Sequence, residues 1–312
     1  MKAVAVTSFK AIPQLMDLPE PQVKEGQILI RLAAAGLNPF DWKMVDGILK
    51  DHMPHVFPLI MGVDGAGVVE ATGAGVTRFK KGNRVYGQML HAPVGEGSYA
   101  EFVVVPEKAA IAAAPETLSL TDAAAAPTAG MTALQLLDKL GLSAGQTLLL
   151  IGATGGVGSF VIQLAKARGL RVVASVSSAA DAERMKALGA ESTVNYKENE
   201  AYPGNVDALV DLVDQAADFA EKTALVKPGG AVLTTQFVAD KAALQARQLR
   251  GGNFETKGTP ASLDALRQAI DKGEIKIPVD RRVSLAQAPA AIAESREMKS
   301  KGKTIIVIND QL

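Results

Sequence analysis

The 312-residue chain is 48% hydrophobic, enough for a sizeable core and about two domains. Lys and Arg total 33, as do Asp and Glu, so the formal net charge is zero; no basic excess points to nucleic acid, and near-neutrality removes one barrier to self-association. With no cysteine, the chain has no disulfide, thiolate metal site or cysteine nucleophile.

The opening residues, Met1 to Val6, form too short an apolar run for a signal peptide. Stretches such as Leu148 to Ile151 are strand-length, well below the roughly 20 residues of a membrane span. A soluble, cytoplasmic protein is expected. The first 110 or so residues read as short strands and turns, with strands at 27–35, 62–71, 82–87 and 99–105, the last stopped by Pro106. Glycines at short intervals punctuate this stretch, as in a barrel-like β module. Thr121-Asp122 is a helix start, and 131–140 carries apolar residues on helical spacing.

From Gln146 the pattern alternates. Strands are expected at 147–151, 171–175, 192–195, 206–211 and 231–235, and helices at 157–168, 180–188, 216–225 and 262–272. This alternation predicts a doubly wound parallel α/β sheet. A helix over 285–298 and a strand over 303–308 close the chain.

The strand Thr147–Ile151 runs into Gly152-Ala153-Thr154-Gly155-Gly156-Val157-Gly158 and then into a helix. Glycines there let the backbone turn tightly, and the helix N-terminus offers N–H groups and a positive dipole end to a pyrophosphate. The spacing is a variant of the usual glycine fingerprint, but its place between strand and helix is the context the motif requires. An NAD site usually has an acid at the end of the second strand, to bond the adenosine ribose. Here that strand ends in Val176-Ser177-Ser178. Without the acid, a 2′-phosphate meets no repulsion and two hydroxyls are at hand, which favours NADPH. Ser177 and Ser178 also suit a cap for the helix that follows. The cation is less evident: Asp181 comes first, and Arg184 lies a turn further on.

Over nearly its whole length the chain resembles the medium-chain dehydrogenases/reductases, and within them the zinc-free quinone oxidoreductase and enone reductase branch. The matching stretches include Ala35 to Lys43, Gly62 to Val69, Lys81 to Val85, Gly97 to Glu101, Ala129 to Ala133, the glycine turn and Leu188-Gly189-Ala190. The resemblance implies a GroES-like β-rich catalytic domain over 1–122, completed by about 273–312, and a Rossmann dinucleotide-binding domain over 123–272. It places the active site in a cleft between them and implies a homodimer. In zinc-dependent relatives the catalytic ligands fall at the positions of Asn38, Val63 and Thr128, none of which is a Cys or His here; no metal site is expected. His52 and His55 lack a third ligand.

The resemblance therefore implies NADPH-dependent hydride transfer to a small quinone or α,β-unsaturated carbonyl substrate. Such substrates delocalise the incoming charge and need only shape and one or two donors toward the developing oxyanion. Asn38 is the first candidate, its amide donating to that oxygen or positioning the nicotinamide. Lys43 stands where alcohol-oxidising relatives often carry a relay histidine, and is the candidate to stabilise an enolate or supply a proton. Thr132, Gln236 and Phe237 are expected near the nicotinamide and Tyr196 near the adenosine; Gly152, Thr154, Gly155, Gly156 and Val157 form the phosphate turn. Phe40, Trp42 and Phe57 suit either a substrate wall or the core. The alternatives are a binding protein that holds NADPH without catalysis, and an aldehyde or ketone reductase.

Overall fold

Apolar and β-branched runs set the strands of this computed structural model, which describes residues 1–297 and 301–312. Short strands β1 (Lys2–Val6) and β2 (Gln14–Asp17) precede the long β3 (Gln27–Gly36), and helix α1 (Pro39–Val45) follows. Next come β4 (Leu59–Ile60), β5 (Asp64–Thr72), β6 (Arg84–Gln88), β7 (Phe102–Pro106) and β8 (Ile111–Ala113). Helix α2 (Leu120–Ala123) starts on a Ser119 cap, and α3 (Pro127–Leu140) leads into the alternating part. There β9 (Thr147–Ile151), α4 (Gly156–Ala167), β10 (Arg171–Val176), α5 (Ala179–Leu188) and β11 (Ser192–Asn195) are followed by β12 (Val206–Asp211), α6 (Ala216–Lys222), β13 (Val226–Thr234), α7 (Lys241–Ala246) and β14 (Arg250–Asn253). The chain ends with α8 (Pro260–Asp271), β15 (Val279–Ser284), α9 (Ala288–Ser295) and β16 (Lys303–Val307). The helix expected over 285–298 begins as a 3₁₀ turn at Leu285–Gln287 and continues as α9; its expected end at Met298 lies outside the described residues.

The chain divides into two units, one of residues 1–128 with 258–312, the other of 129–257. In the second unit the strands lie in the order β11-β10-β9-β12-β13-β14, all parallel. Connections run outward in both directions from the central β9 and β12, so a crevice opens at the carboxyl ends of these two strands. Gly152 turns the chain out of β9 at φ +78°, a conformation that suits glycine. A Cβ on Gly158 would collide with the backbone of Ala153, so glycine there lets α4 pack closely on the strand end.

In the first unit β3 is the hub. It pairs antiparallel with β5 along its length, with β7 at its start and with β16 at its end. The sheet order is β15-β16-β3-β5-β6-β8, and a smaller antiparallel sheet has the order β2-β1-β4. Residues 258–272 belong with this unit, whereas the sequence pattern groups them with the cofactor domain. The reason is packing: the buried Tyr86 Oη on β6 donates to Leu263 O on α8 at 2.6 Å, and Thr117 bonds Asp271.

Helix α1 is anchored by Asp41, whose carboxylate is buried. Oδ2 accepts from Asn38 N at 2.7 Å and from Tyr99 Oη at 2.6 Å; Oδ1 accepts from Val63 N at 3.0 Å. Burial pushes this carboxyl from its ordinary 3.8 up to about 7, against the hydrogen bonds from Tyr99 and Asn38; the nearby Asp64 raises it further and Lys303 lowers it. A folded pKa above the unfolded one means the folded state holds the proton more tightly between the two values. Stability from this group is therefore fully present at pH below 3.8 and is lost as pH rises toward about 7. In urea-denaturation midpoints measured from pH 4 to 8, wild type loses stability relative to Asp41→Asn as pH rises; parallel profiles for the two proteins contradict this assignment.

Candidate functional site

In the second unit, the carboxyl edge of the parallel sheet gathers most of the expected cofactor residues. Gly152 follows β9, Ser177 and Ser178 follow β10, Tyr196 follows β11, and Gln236 and Phe237 lie just past β13. Thr154, Gly155, Gly156 and Val157 form the turn into α4 and its first residues. The first N–H groups of that helix have no partner within it and sit at the positive end of its dipole. Asp211, at the end of β12, ties the loops together: its carboxylate accepts from Val213 N (3.1 Å), Asp214 N (2.9 Å) and Thr234 Oγ1 (2.6 Å). Gln236 closes the loop through Nε2 to Leu212 O at 2.6 Å.

Apolar side chains stand exposed on this edge: Val213 at 45%, Tyr196 at 51% and Phe237 at 62%. Phe237 also has φ +59°, a left-handed conformation that costs about 1–3 kcal/mol for a residue with a Cβ. Open N–H donors flanked by apolar surface fit the phosphates and rings of a dinucleotide. Thr132, on α3, has a buried hydroxyl that shares a 2.7 Å hydrogen bond with Thr256 Oγ1, just past the carboxyl end of β14.

The two serines act as a cap. Ser178 is the N-cap of α5 and accepts from Asp181 N at 3.2 Å. Both hydroxyls donate to Asp181 Oδ2, Ser177 at 3.1 Å and Ser178 at 2.8 Å, so they are not directed outward as phosphate donors. Arg184 completes the group. Its Nη2 lies 3.2 Å from Asp181 Oδ1 and 3.4 Å from Thr154 O, joining α5 to the glycine turn, and about a third of its side chain is exposed.

The first unit buries a second polar group around Asn38. Lys303 Nζ, delivered by β16, donates to Leu37 O at 2.8 Å and to Asn38 Oδ1 at 2.5 Å. Asn38 Nδ2 donates to Asp64 Oδ2 at 2.9 Å and to Gly36 O at 3.2 Å. Because an ammonium only donates and a carboxylate accepts, the amide orientation is fixed. Asp64 also accepts from Thr128 Oγ1 at 2.6 Å and from Thr128 N. Burial pushes the Asp64 carboxyl up, opposed by the charge of Lys303 and by bonds from Thr128 and Asn38. Burial pushes Lys303 down, opposed by Asp64 and Asp41.

This geometry corrects the reading of Asn38 as the donor toward substrate oxygen: both of its amide hydrogens are committed inward, and the residue is buried. It also bears on whether these three positions could hold a metal. Asn38 Oδ1 already accepts from an ammonium, the Val63 side chain offers no lone pair, and Thr128 donates its hydroxyl hydrogen to Asp64. A zinc ion beside an ammonium, with no imidazole or thiolate, does not fit these three positions.

Lys43, half-buried in the last turn of α1, holds its Nζ 5.6 Å from the Trp42 ring centroid. The Arg296 guanidinium lies 5.1 Å from the same ring and pairs with both carboxylate oxygens of Asp46, at 2.8 and 2.9 Å. Phe40, Trp42 and Phe57 are half-buried and pack on the core with Met44, Val45 and Leu59. His55 packs edge-on against Phe9 at 4.9 Å, and His52 is exposed. Asp64, Gln88 and Lys303 are the functional-looking residues that sequence reasoning missed. The available signals were an acid set among glycines at 62–67 and a lysine that leads into the apolar run 305–308.

Residues 24–116 match the alcohol dehydrogenase GroES-like domain, and residues 188–306 match the zinc-binding dehydrogenase family. The chain is 34% identical to the 2-methylene-furan-3-one reductase of Solanum lycopersicum, over 98% of this chain and 79% of that protein. It is 36% identical to the chloroplastic NADPH-dependent alkenal/one oxidoreductase of Arabidopsis thaliana, over 90% of this chain and 72% of the relative. The solved structure of the quinone oxidoreductase from Coxiella burnetii superposes with a TM-score of 0.87 at 29% identity, covering 98% of this chain and 99% of that one. The chain belongs to the medium-chain dehydrogenase/reductase family, in the branch that holds the quinone oxidoreductases and enone reductases.

Proposed function

We propose that this oxidoreductase uses NADPH to reduce small α,β-unsaturated carbonyl compounds or quinones without a zinc ion. The observation that carries the reading is the group at positions 38, 63 and 128, where an ammonium-anchored hydrogen-bond network replaces a metal-ligand set. A simple aldehyde concentrates charge on one oxygen and benefits from a Lewis acid; an enone or quinone spreads it and needs only hydrogen-bond donors. The names of relatives, one an alkenal/one oxidoreductase and one a 2-methylene-furan-3-one reductase, support the same substrate class.

Bound at the carboxyl edge, the cofactor supplies the hydride. Gly152, Thr154, Gly155, Gly156 and Val157 hold its pyrophosphate at the start of α4. Val213, Tyr196 and Phe237 cover its rings, and Thr132 and Gln236 stand on the nicotinamide side. Arg184 supplies the cation for the 2′-phosphate, with Asp181 holding the guanidinium beside the glycine turn. Ser177 and Ser178 shape this corner as a cap. Lys43 is assigned the proton that completes reduction, or the charge that stabilises the enolate. Asn38 is assigned an orienting role. Among the described residues no helix is long and apolar enough to cross a membrane.

The direct test is loss of NADPH absorbance with a panel of enones, quinones and simple aldehydes. Turnover is expected with an enone or quinone; none with any of the panel contradicts the reading, and the best rate on a simple aldehyde contradicts the substrate class. Arg184→Ala is expected to weaken NADPH binding about tenfold in fluorescence titrations while leaving NADH binding nearly unchanged. Equal losses for both nucleotides contradict the role of Arg184. Lys43→Ala is expected to lower kcat/KM by on the order of a hundredfold; an unchanged value removes Lys43 from the chemistry.

A further inference from the structure

With both hydrogens of Asn38 committed inward, another amide is the candidate for a preset donor to the substrate oxygen. Gln88, the last residue of β6, lies directly opposite Asp64 in the β5–β6 register. Its side chain is half-buried, and Nε2 donates to Thr128 Oγ1 at 2.7 Å. Thr128 Oγ1 in turn gives its hydrogen to Asp64 Oδ1 at 2.6 Å. Asp64 accepts at every one of these contacts, as a carboxylate does, and Lys303 offsets its charge through the Asn38 amide and by proximity.

This sequence of contacts has one consistent direction. A carboxylate accepts, so the threonine hydrogen points at Asp64. The threonine oxygen then presents only lone pairs toward Gln88, so the amide must turn its NH2 that way. Among the described residues, the second N–H of that NH2 makes no hydrogen bond. On the far side the amide is confined by backbone: a Cβ on Gly258 would collide with Gln88 Oε1, so the glycine makes the seat in which the amide fits. A fixed, unpaired N–H on a half-exposed amide is the element that oxyanion stabilisation requires, because its orientation is set before reaction.

We propose that Gln88 is a catalytic residue of this enzyme, giving its second Nε2–H to the carbonyl oxygen of the enone or quinone as negative charge develops there, with Thr128 and Asp64 as positioning residues. The proposal rests on the reductase reading and adds a fixed amide donor beside the role that reading gives Lys43. Lys303 keeps the arm electrically balanced, so the amide is oriented without an uncompensated negative charge facing the substrate oxygen.

The test uses the full-length protein loaded with nicotinamide cofactor. Gln88→Leu removes the donor, and Gln88→Glu keeps the shape but replaces NH2 with an acceptor. Each is expected to lower kcat on the order of a hundredfold, with KM changed far less and NADPH affinity unchanged. Thr128→Val frees the amide to turn and gives a smaller loss in kcat, which Thr128→Ser restores. Thermal unfolding checks that each variant is folded.

A second measurement does not depend on turnover. p-Nitrophenolate, an oxyanion whose absorbance reports its ionisation, is titrated into the NADP⁺ complex. Wild type is expected to bind it about tenfold more tightly than Gln88→Leu. Folded Gln88→Leu and Gln88→Glu proteins with wild-type kcat overturn the proposal, and so does phenolate binding that is equal in wild type and Gln88→Leu. If wild type reduces no enone or quinone, the reductase reading fails, and the phenolate titration alone decides whether Gln88 is a donor.

Discussion

A single buried ammonium organises the first unit. Lys303 arrives on the last strand and meets Asn38, from the turn after β3, and Asp64, from the start of β5. Two carboxylates, Asp41 and Asp64, are buried within reach of its charge. Removing the ammonium would leave them uncompensated in a low-dielectric interior, and breaking a buried group of this kind typically costs about 3–5 kcal/mol. The pairing also explains why this unit is assembled from both ends of the chain: β16 must lie beside β3 for its lysine to reach Asn38. Function follows from the same contact. The ammonium sets the amide of Asn38, the amide and the ammonium set Asp64, and Asp64 sets Thr128 and through it Gln88.

The second unit works through backbone more than side chains. Its sheet brings the glycine turn after β9 and the Asp211 loop after β12 to the point where strand order reverses. Open helix N–H groups and exposed apolar residues at that edge suit a ligand with both phosphates and rings. The outward, left-handed Phe237 is a local cost on stability at the same edge, as functional loops often carry. Placing a guanidinium between Asp181 and Thr154 keeps a cation close to the turn without leaving it to wander.

The second unit was the more legible in sequence. Strands 147–151 and 206–211 stand where their apolar runs predict, because nearly every residue in them is buried and no polar alternation blurs the run. β14 escaped notice because Arg250-Gly-Gly-Asn253 contains no β-branched or aromatic residue; its neighbour β13 supplies the pairing that its composition does not. The grouping of 258–272 misled for a related reason. The helix pattern is right, but periodicity does not reveal which unit a helix packs on, and Tyr86 and Thr117 decide that by long-range bonds.

The site was legible in outline only. Positions 38, 63 and 128 pointed away from a metal, since residue identity alone carries that information. The hydrogen-bond network around these positions was not legible, because Lys303 and Asp64 are distant in the chain and neither stands in a motif that implies the other. The serines at 177 and 178 invited two readings, and only coordinates could show that Asp181 takes both hydroxyl hydrogens. The account stands most directly on whether this network does without a metal. Enone reduction should be measured after exhaustive dialysis against EDTA and 1,10-phenanthroline, with metal content determined on the same sample. Undiminished turnover in metal-free protein is the predicted result; activity lost on chelation and restored by zinc would contradict it.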